Sequence, residues 1–304
     1  MRDVFARELV RLASEDDRIM FVTGDLGFGV FEDYIAKHGS QYLNVGVAEQ
    51  NMVAVATGLA LEGRIVFVYS IGNFPVLRCL EQIRNDAAYH DANVKVVSIG
   101  GGFSYGPLGM SHHATEDIAI MRSIPQIRSF TPGTLSDVAH SMEEMAKSSG
   151  TDYLRLDKSH GEEAPGAEDF REGAWRIMSL GSDVTLVACG GILGEAQDAA
   201  QQLKGRGLNA QVVDATQVSP IAAEEVLRCL GRSPAIVTLE EHVVRGGLAG
   251  VVAESIATTG HRARLIPVGV GSSFMSEVGS QGYLRKQTGL DASSVVRLVV
   301  DSLR

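Results

Sequence analysis

Strand-length apolar runs alternate with helical segments along nearly the whole chain, and this restricts the fold more than any single motif does. The first runs are Ile19-Met-Phe-Val22, Ile65-Val-Phe-Val68, Val94-Lys-Val-Val-Ser-Ile99 and Tyr153-Leu-Arg-Leu156. Each is short, rich in β-branched or aromatic residues, and separated from the next by helical material. Ahead of them, Val4, Phe5, Leu9 and Leu12 recur at helical spacing and predict an amphipathic helix over residues 3–14. Consecutive strands joined by helix-length crossovers run parallel, so helices are expected on both faces of a parallel sheet.

Residues 159–173 interrupt the pattern: they are polar and rich in Gly, Pro and acid, as a linker is. The alternation then starts again. Strands are expected over 184–188, 210–214, 235–239 and 263–268, with helices over 195–204, 246–258 and 293–303. The fold class expected is α/β, with two successive domains, each a mostly parallel sheet flanked by helices. They span residues 1–158 and 176–304, with residues 159–175 as the linker.

Composition removes several function classes. The 304 residues carry a net charge of -10 and no basic tract, so nucleic acid is not an expected partner. Cys79, Cys189 and Cys229 stand far apart without a CxxC pair, which suggests a reducing compartment and neither a metal site nor a disulfide framework. No uncharged apolar run approaches the ~20 residues of a membrane span, and Met1-Arg-Asp-Val-Phe lacks a signal-peptide core. A cytoplasmic protein acting on small molecules is expected.

The run Asn44-Val-Gly-Val-Ala-Glu-Gln-Asn51 places Glu49 just before the almost charge-free Met52-Val-Ala-Val-Ala-Thr-Gly-Leu-Ala-Leu61. A carboxylate where water is scarce is costly unless paired, and such groups cluster at catalytic sites. The plain alternative is a solvent-facing Glu that favours the positive end of a helix dipole. Asn-Val-Gly-Val-Ala-Glu-Gln-Asn-Met resembles the signature of the transketolase pyrimidine-binding domain, especially in transketolases split into two chains. The resemblance covers nearly the whole chain. It implies a pyrimidine-binding domain over 1–158 and a transketolase C-terminal-type domain over 176–304. It further implies that Glu49 hydrogen-bonds the aminopyrimidine of thiamine diphosphate and relays the proton that makes the cofactor a carbon nucleophile.

Further positions follow the same resemblance. Ser111-His-His-Ala-Thr115 leaves a Gly-rich turn after a predicted strand. Paired histidines are commonly surface residues, but the C-terminal end of a parallel strand is where open α/β sheets place ligands. The segment resembles the family's Gly-Pro-Thr-His, which gives His112 the task of stabilising charge or moving a proton at the substrate oxygen; His113 stands behind it. Asp25, in Thr23-Gly-Asp-Leu-Gly-Phe-Gly29, resembles the cofactor-side Ala-Asp-Leu motif, and Phe74 the aromatic that stacks on the pyrimidine. Arg78 and Arg84 flank Glu81 at helical spacing and suit a partner, a substrate or ion pairs with that Glu. Glu240-Glu-His242 is expected in a C-terminal-domain turn that makes subunit contacts, with no metal bound.

No Gly-Asp-Gly with a downstream Asn occurs, so the diphosphate and Mg²⁺ ligands are expected on a partner, a transketolase N-terminal-type subunit. A homodimer of this chain within an α2β2 complex is implied. The substrate pocket departs from the family: Leu108 stands where an Asp reads a sugar hydroxyl, Gly100 where a His contacts phosphate, and Gly29 where a Ser does. Lys158 stands near the phosphate-binding Arg and keeps its charge without its forked geometry. A two-carbon ketol transfer between sugars is expected, with a modified or unphosphorylated sugar as substrate. The β-subunit of a 2-oxo-acid dehydrogenase and a non-catalytic regulatory scaffold are the rival readings.

Overall fold

A computed structural model describes residues 1–164, 170, 171 and 173–303. Its strands are β1 (Ile19–Thr23), β2 (Tyr42–Asn44), β3 (Ile65–Ile71), β4 (Val94–Ile99), β5 (Arg128–Phe130), β6 (Asp152–Leu156), β7 (Arg176–Ser179), β8 (Val184–Cys189), β9 (Ala210–Asp214), β10 (Gln217–Ser219), β11 (Ala235–Val243) and β12 (Arg264–Val270). Among the described residues they form two sheets, ordered β10-β5-β6-β4-β3-β1-β2 and β12-β11-β8-β9-β7. Every pairing is parallel except two at sheet edges, β10 on β5 and β7 on β9. The α/β class and the mostly parallel sheets agree with the sequence.

The long strands are mostly apolar because both faces of each sheet are buried, and the charges they carry, such as Lys95 with Asp152 at 2.7 Å, are paired. On the first sheet, Phe21, Phe67, Tyr69 and Val97 pack with Phe5 and Leu9 of the helix Arg2–Glu15 and Met142 of the helix Leu135–Lys147. Their neighbours Val22, Val66, Val68 and Val96 point the other way, onto Met52, Val53 and Ala56 of the helix Glu49–Leu61. The period of two in each strand assigns alternate residues to opposite cores. Fully burying each such side chain contributes about 1.5–3 kcal/mol. The second sheet is built likewise, with Leu186 and Val212 on one face and Val187 and Val213 on the other.

Strands β2, β5, β7 and β10 were not legible in the sequence, being too short for any period to register. Strand β10 also breaks the expected division. It follows β9 of the second sheet yet joins the first, pairing Gln217 with Phe130 and Ser219 with Ser129. The Thr131 hydroxyl donates to the Ala215 carbonyl at 2.7 Å beside it.

Glu240, Glu241 and His242 lie in strand β11 and are buried within this chain, where a turn making subunit contacts was expected. Glu240 accepts from the backbone N–H groups of Leu248 and Ala249 at 2.7 and 3.0 Å, at the start of the helix Leu248–Thr259. Glu241 accepts from Phe103 N–H, from Arg285 and, at 2.9 Å, from Gln281. His242 Nε2 accepts from Ala119 N–H at 3.2 Å. Arg155 of β6 completes the seam, donating to the Glu241 carbonyl at 2.9 Å and to Asp117 at 3.3 Å. These buried charges lock the two sheets together, since removing one partner would strand the other away from water. Among the described residues no helix is long and apolar enough to cross a membrane.

Candidate active site

Sheet order turns positions scattered through the sequence into a line. Lys158 follows β6, His112 lies in the loop after β4, Phe74 follows β3, Asp25 follows β1, and Glu49 follows β2. Those strands are neighbours in that order, so all five residues leave the C-terminal edge of one parallel sheet. That edge is where open α/β sheets bind ligands.

Glu49 opens the helix Glu49–Leu61 and is 3% exposed, which excludes the solvent-facing reading. Its Oε2 accepts a hydrogen bond from Arg78 Nη1 at 2.7 Å. Arg78 itself is half-exposed, and its guanidinium carbon stands 5.1 Å from the centre of the Phe74 ring. Phe74 and Arg78 bound one short π-helical segment, four residues apart, so both face the same way. The Phe74 ring in turn meets His112 edge-on, with centroids 5.1 Å apart. His112 Nδ1 lies 3.0 Å from the Ser111 hydroxyl. Glu49, Arg78, Phe74 and His112 therefore form one continuous surface.

Two backbone devices hold the loops together. Gly72, at φ +48°, runs so close to the His112 carbonyl that a Cβ there would come within 3.2 Å of it. Asn73 Nδ2 also donates to the His113 carbonyl at 3.2 Å, so the β3 and β4 loops stay in register. Asn44, the first residue of the Glu49 motif, accepts from Asp25 N–H at 3.0 Å and donates to Asp25 Oδ1 at 3.1 Å. Asp25 is thereby fixed beside the Glu49 loop, with its carboxylate exposed toward a groove of about 300 Å³ that Tyr105 also lines.

Lys158 stands at the far end of the line, in contact with neither Glu49 nor His112. Its Nζ lies 4.0 Å over the Tyr105 ring, and burial together with Arg2 lowers its pKa. Leu108 is exposed on the turn Gly106–Leu108. His113 is buried against Phe103, and burial lowers its pKa. Cys79, behind Arg78, is pushed up to about 12 by burial and the nearby Glu49, so it is no nucleophile.

Sequence reasoning marked Arg78 without its partner and passed over Tyr105. Arg78 pairs with Glu49, where Glu81 had been a candidate; Arg84 donates to Asn85 Oδ1 at 2.7 Å. The i, i+4 spacing of Phe74 and Arg78 was the available signal. Tyr105 was passed over as part of a flexible Gly-rich stretch. Chemically, the Glu49–Phe74 surface offers a buried carboxylate beside a flat aromatic face. A planar guanidinium already stacks on that face and donates to that carboxylate, so a planar, nitrogen-bearing ring fits the same place. Among the described residues no group of three or more His, Cys, Asp or Glu could hold a metal ion.

Residues 1–162 match the transketolase pyrimidine binding domain, and residues 173–295 the transketolase C-terminal domain. A putative transketolase C-terminal section from Methanocaldococcus jannaschii is 33% identical, over 100% of this chain and 96% of its own. A 6-deoxy-6-sulfo-D-fructose transketolase subunit from Clostridium sp. is also 33% identical, over 98% of this chain and 92% of its own. The solved structure of a split gene transketolase, an inactive beta4 tetramer, superposes with a TM-score of 0.88 at 32% identity, covering 99% of this chain and 97% of that one.

Proposed function

The chain belongs to the transketolase family, and on that premise we propose that it is the pyrimidine-side subunit of a heteromeric, thiamine diphosphate-dependent transketolase-like enzyme. It transfers a two-carbon ketol unit from a ketose to an aldehyde. The observation that carries this reading is Glu49, a buried carboxylate at the ligand-binding edge of the sheet, set beside Phe74 and His112. Residues 1–158 bind the pyrimidine and residues 176–304 form the C-terminal domain. A transketolase N-terminal-type subunit supplies the diphosphate and Mg²⁺ ligands, in an α2β2 assembly.

Thiamine diphosphate, when bound, supplies the carbon nucleophile for cleaving the bond next to a ketone. This chain's residues do the rest. Phe74 offers the stacking face for the aminopyrimidine, and Asp25 borders the same pocket. Glu49 holds a proton at the ring nitrogen. His112 faces the substrate, where it donates to the oxygen that gains negative charge. Lys158 meets a group at the far end of the sugar.

Two features support a modified sugar. Leu108, exposed on its turn, cannot accept from a sugar hydroxyl. The Clostridium relative is also named for a sulfonated ketose. The similar split-gene structure is of an inactive tetramer, which supports dependence on a partner.

Reconstitution tests the proposal. The purified chain should bind thiamine diphosphate weakly and turn nothing over, and addition of the N-terminal-type subunit should restore both. Mass spectrometry of products from a ketose and from a 2-oxo acid identifies the donor class. Turnover by the chain alone, or with 2-oxo acids only, would sink the reading.

A further inference from the structure

His112 ends the single 3-10 turn Met110–His112, in the loop between β4 and the helix Asp117–Ser123. Its ring meets the Ser111 hydroxyl at 3.0 Å and Phe74 edge-on, but neither contact fixes the backbone that carries it. That backbone is fixed at its feet. Gly102 and Ala114 exchange N–H···O=C bonds at 2.7 and 2.9 Å, which closes residues 103–113 into a loop. Both feet are then held from the second sheet. Val243 N–H donates to the Thr115 carbonyl at 2.8 Å, and Phe103 N–H donates to Glu241 Oε1. Glu241 and Val243 stand two residues apart on β11.

The Glu241 carboxylate has little freedom to swing. Gln281 Nε2 donates to Oε1 at 2.9 Å and to Oε2 at 3.2 Å, and Arg285 Nε donates to Oε2. Gln281 and Arg285 lie four positions apart on the helix Gln281–Thr288, so they approach from one face. Gln281 also reaches Ser104 Oγ at 3.3 Å, next to Phe103. On the loop side, the backbone of Gly102 passes so close that a Cβ there would run into the carboxylate. Phe103 carries the contact onward: its ring meets His113 edge-on, with centroids 5.1 Å apart, and His113 adjoins His112. Glu241 is 3% exposed and Phe103 fully buried, so a lost acceptor would leave the Phe103 N–H unsatisfied.

We propose that Glu241 is a positioning residue: the second sheet, acting through Glu241 and Phe103, sets where His112 stands at the edge of the first. This rests on the reading of His112 as the group that faces the substrate. Glu241 acts through the loop and takes no part in the proton step. Arg285 and Gln281 aim the carboxylate, and the oxygen that accepts from Phe103 does the positioning.

Paired variants in an Arg285→Met background separate the acceptor from the charge, since neither leaves this ion pair half-made. Glu241→Gln keeps an oxygen for the Phe103 N–H, whereas Glu241→Met fills the space without one. The first readout is independent of turnover: the histidine NMR signals of the full chain. The His112 signal is assigned by its loss in His112→Gln, and Phe74→Leu gives its position away from the Phe74 ring. With Glu241→Met it should move toward that position, and with Glu241→Gln it should stay at the wild-type one. His38, 3.1 Å from the Ser14 hydroxyl, and His261, 3.1 Å from the Gly231 carbonyl, report that each domain is folded. Should Glu241→Met fail to fold, Gly102→Ala decides: it drives a methyl against the carboxylate with every charge in place, and should displace His112 likewise. An unmoved His112 signal, or equal movement with Glu241→Gln and Glu241→Met, overturns the proposal. In the reconstituted complex, Glu241→Met should have a kcat roughly 10- to 100-fold below Glu241→Gln, as a displacement of about 1 Å would cause. Hydrogen–deuterium exchange at the cofactor's reactive carbon, which depends on Glu49, should keep the same rate in both. Exchange that falls along with turnover would mean a merely structural role and overturns the proposal. A wild-type complex that turns over no ketose refutes the functional reading, while the NMR result still decides whether Glu241 places His112.

Discussion

Arg78→Met separates the resting arrangement of the site from its working one. In the unliganded chain the buried Glu49 has Arg78 as its ion-pair partner at 2.7 Å, while the guanidinium covers Phe74. An aminopyrimidine that stacks on Phe74 and bonds to Glu49 has to displace that guanidinium. A hydrogen bond to a charged group contributes roughly 1.5–3 kcal/mol. Arg78 is 49% exposed, so screening reduces this to about 1 kcal/mol. Met retains the apolar stem and removes the donor. The unliganded chain should then lose about 1 kcal/mol of stability, because Glu49 is left buried and unpaired. The reconstituted complex should bind thiamine diphosphate roughly fivefold more tightly, since nothing need be displaced. Urea denaturation of the chain and calorimetric titration of the complex measure the two quantities. Weaker cofactor binding by the variant would refute the displacement argument and make Arg78 a direct ligand.

Two other outcomes follow from the same structure. Glu49→Gln fits the same space and keeps a hydrogen bond, but cannot hold the proton. Hydrogen–deuterium exchange at the cofactor's reactive carbon should fall on the order of 100- to 10,000-fold with assembly intact, and a wild-type exchange rate would remove Glu49 from its role. Asp214 is fully buried beside Asp137. Burial, and then the charge of Asp137, push its pKa well above the ordinary 3.8. A raised folded pKa gives stability that is full below the unfolded value and lost as pH rises through the folded one. Asp214→Asn, neutral at every pH, should therefore gain on wild type as pH rises above about 4. Parallel stability curves for the two proteins between pH 4 and 8 would contradict that assignment.

What the sequence showed and what it hid have physical reasons. The strands β1, β3, β4 and β8 were legible because burial on both faces leaves mostly apolar residues in each, broken in β4 only by the buried Lys95 and Ser98. Glu49 and His112 could be proposed as site residues because each sits in a local motif, and the structure sets both at the same sheet edge. Arg78 was half-seen: its position was marked, but a pair that spans 29 residues depends on how two loops meet over the sheet edge. Tyr105 was invisible for a similar reason. Only the left-handed backbone of Gly100 lets an aromatic ring settle over it.

Strand β10 has a consequence for anyone who would cut or graft this chain. A fragment ending before the linker would leave β5 as a bare sheet edge, its backbone N–H and C=O groups offered to any passing strand. The same excision would deprive Arg155, 2% exposed, of the Glu241 carbonyl it donates to. Such a piece is an aggregation hazard and not a portable module. Recombining halves from two relatives would need the crossover placed beyond residue 219, where the borrowed strand is complete.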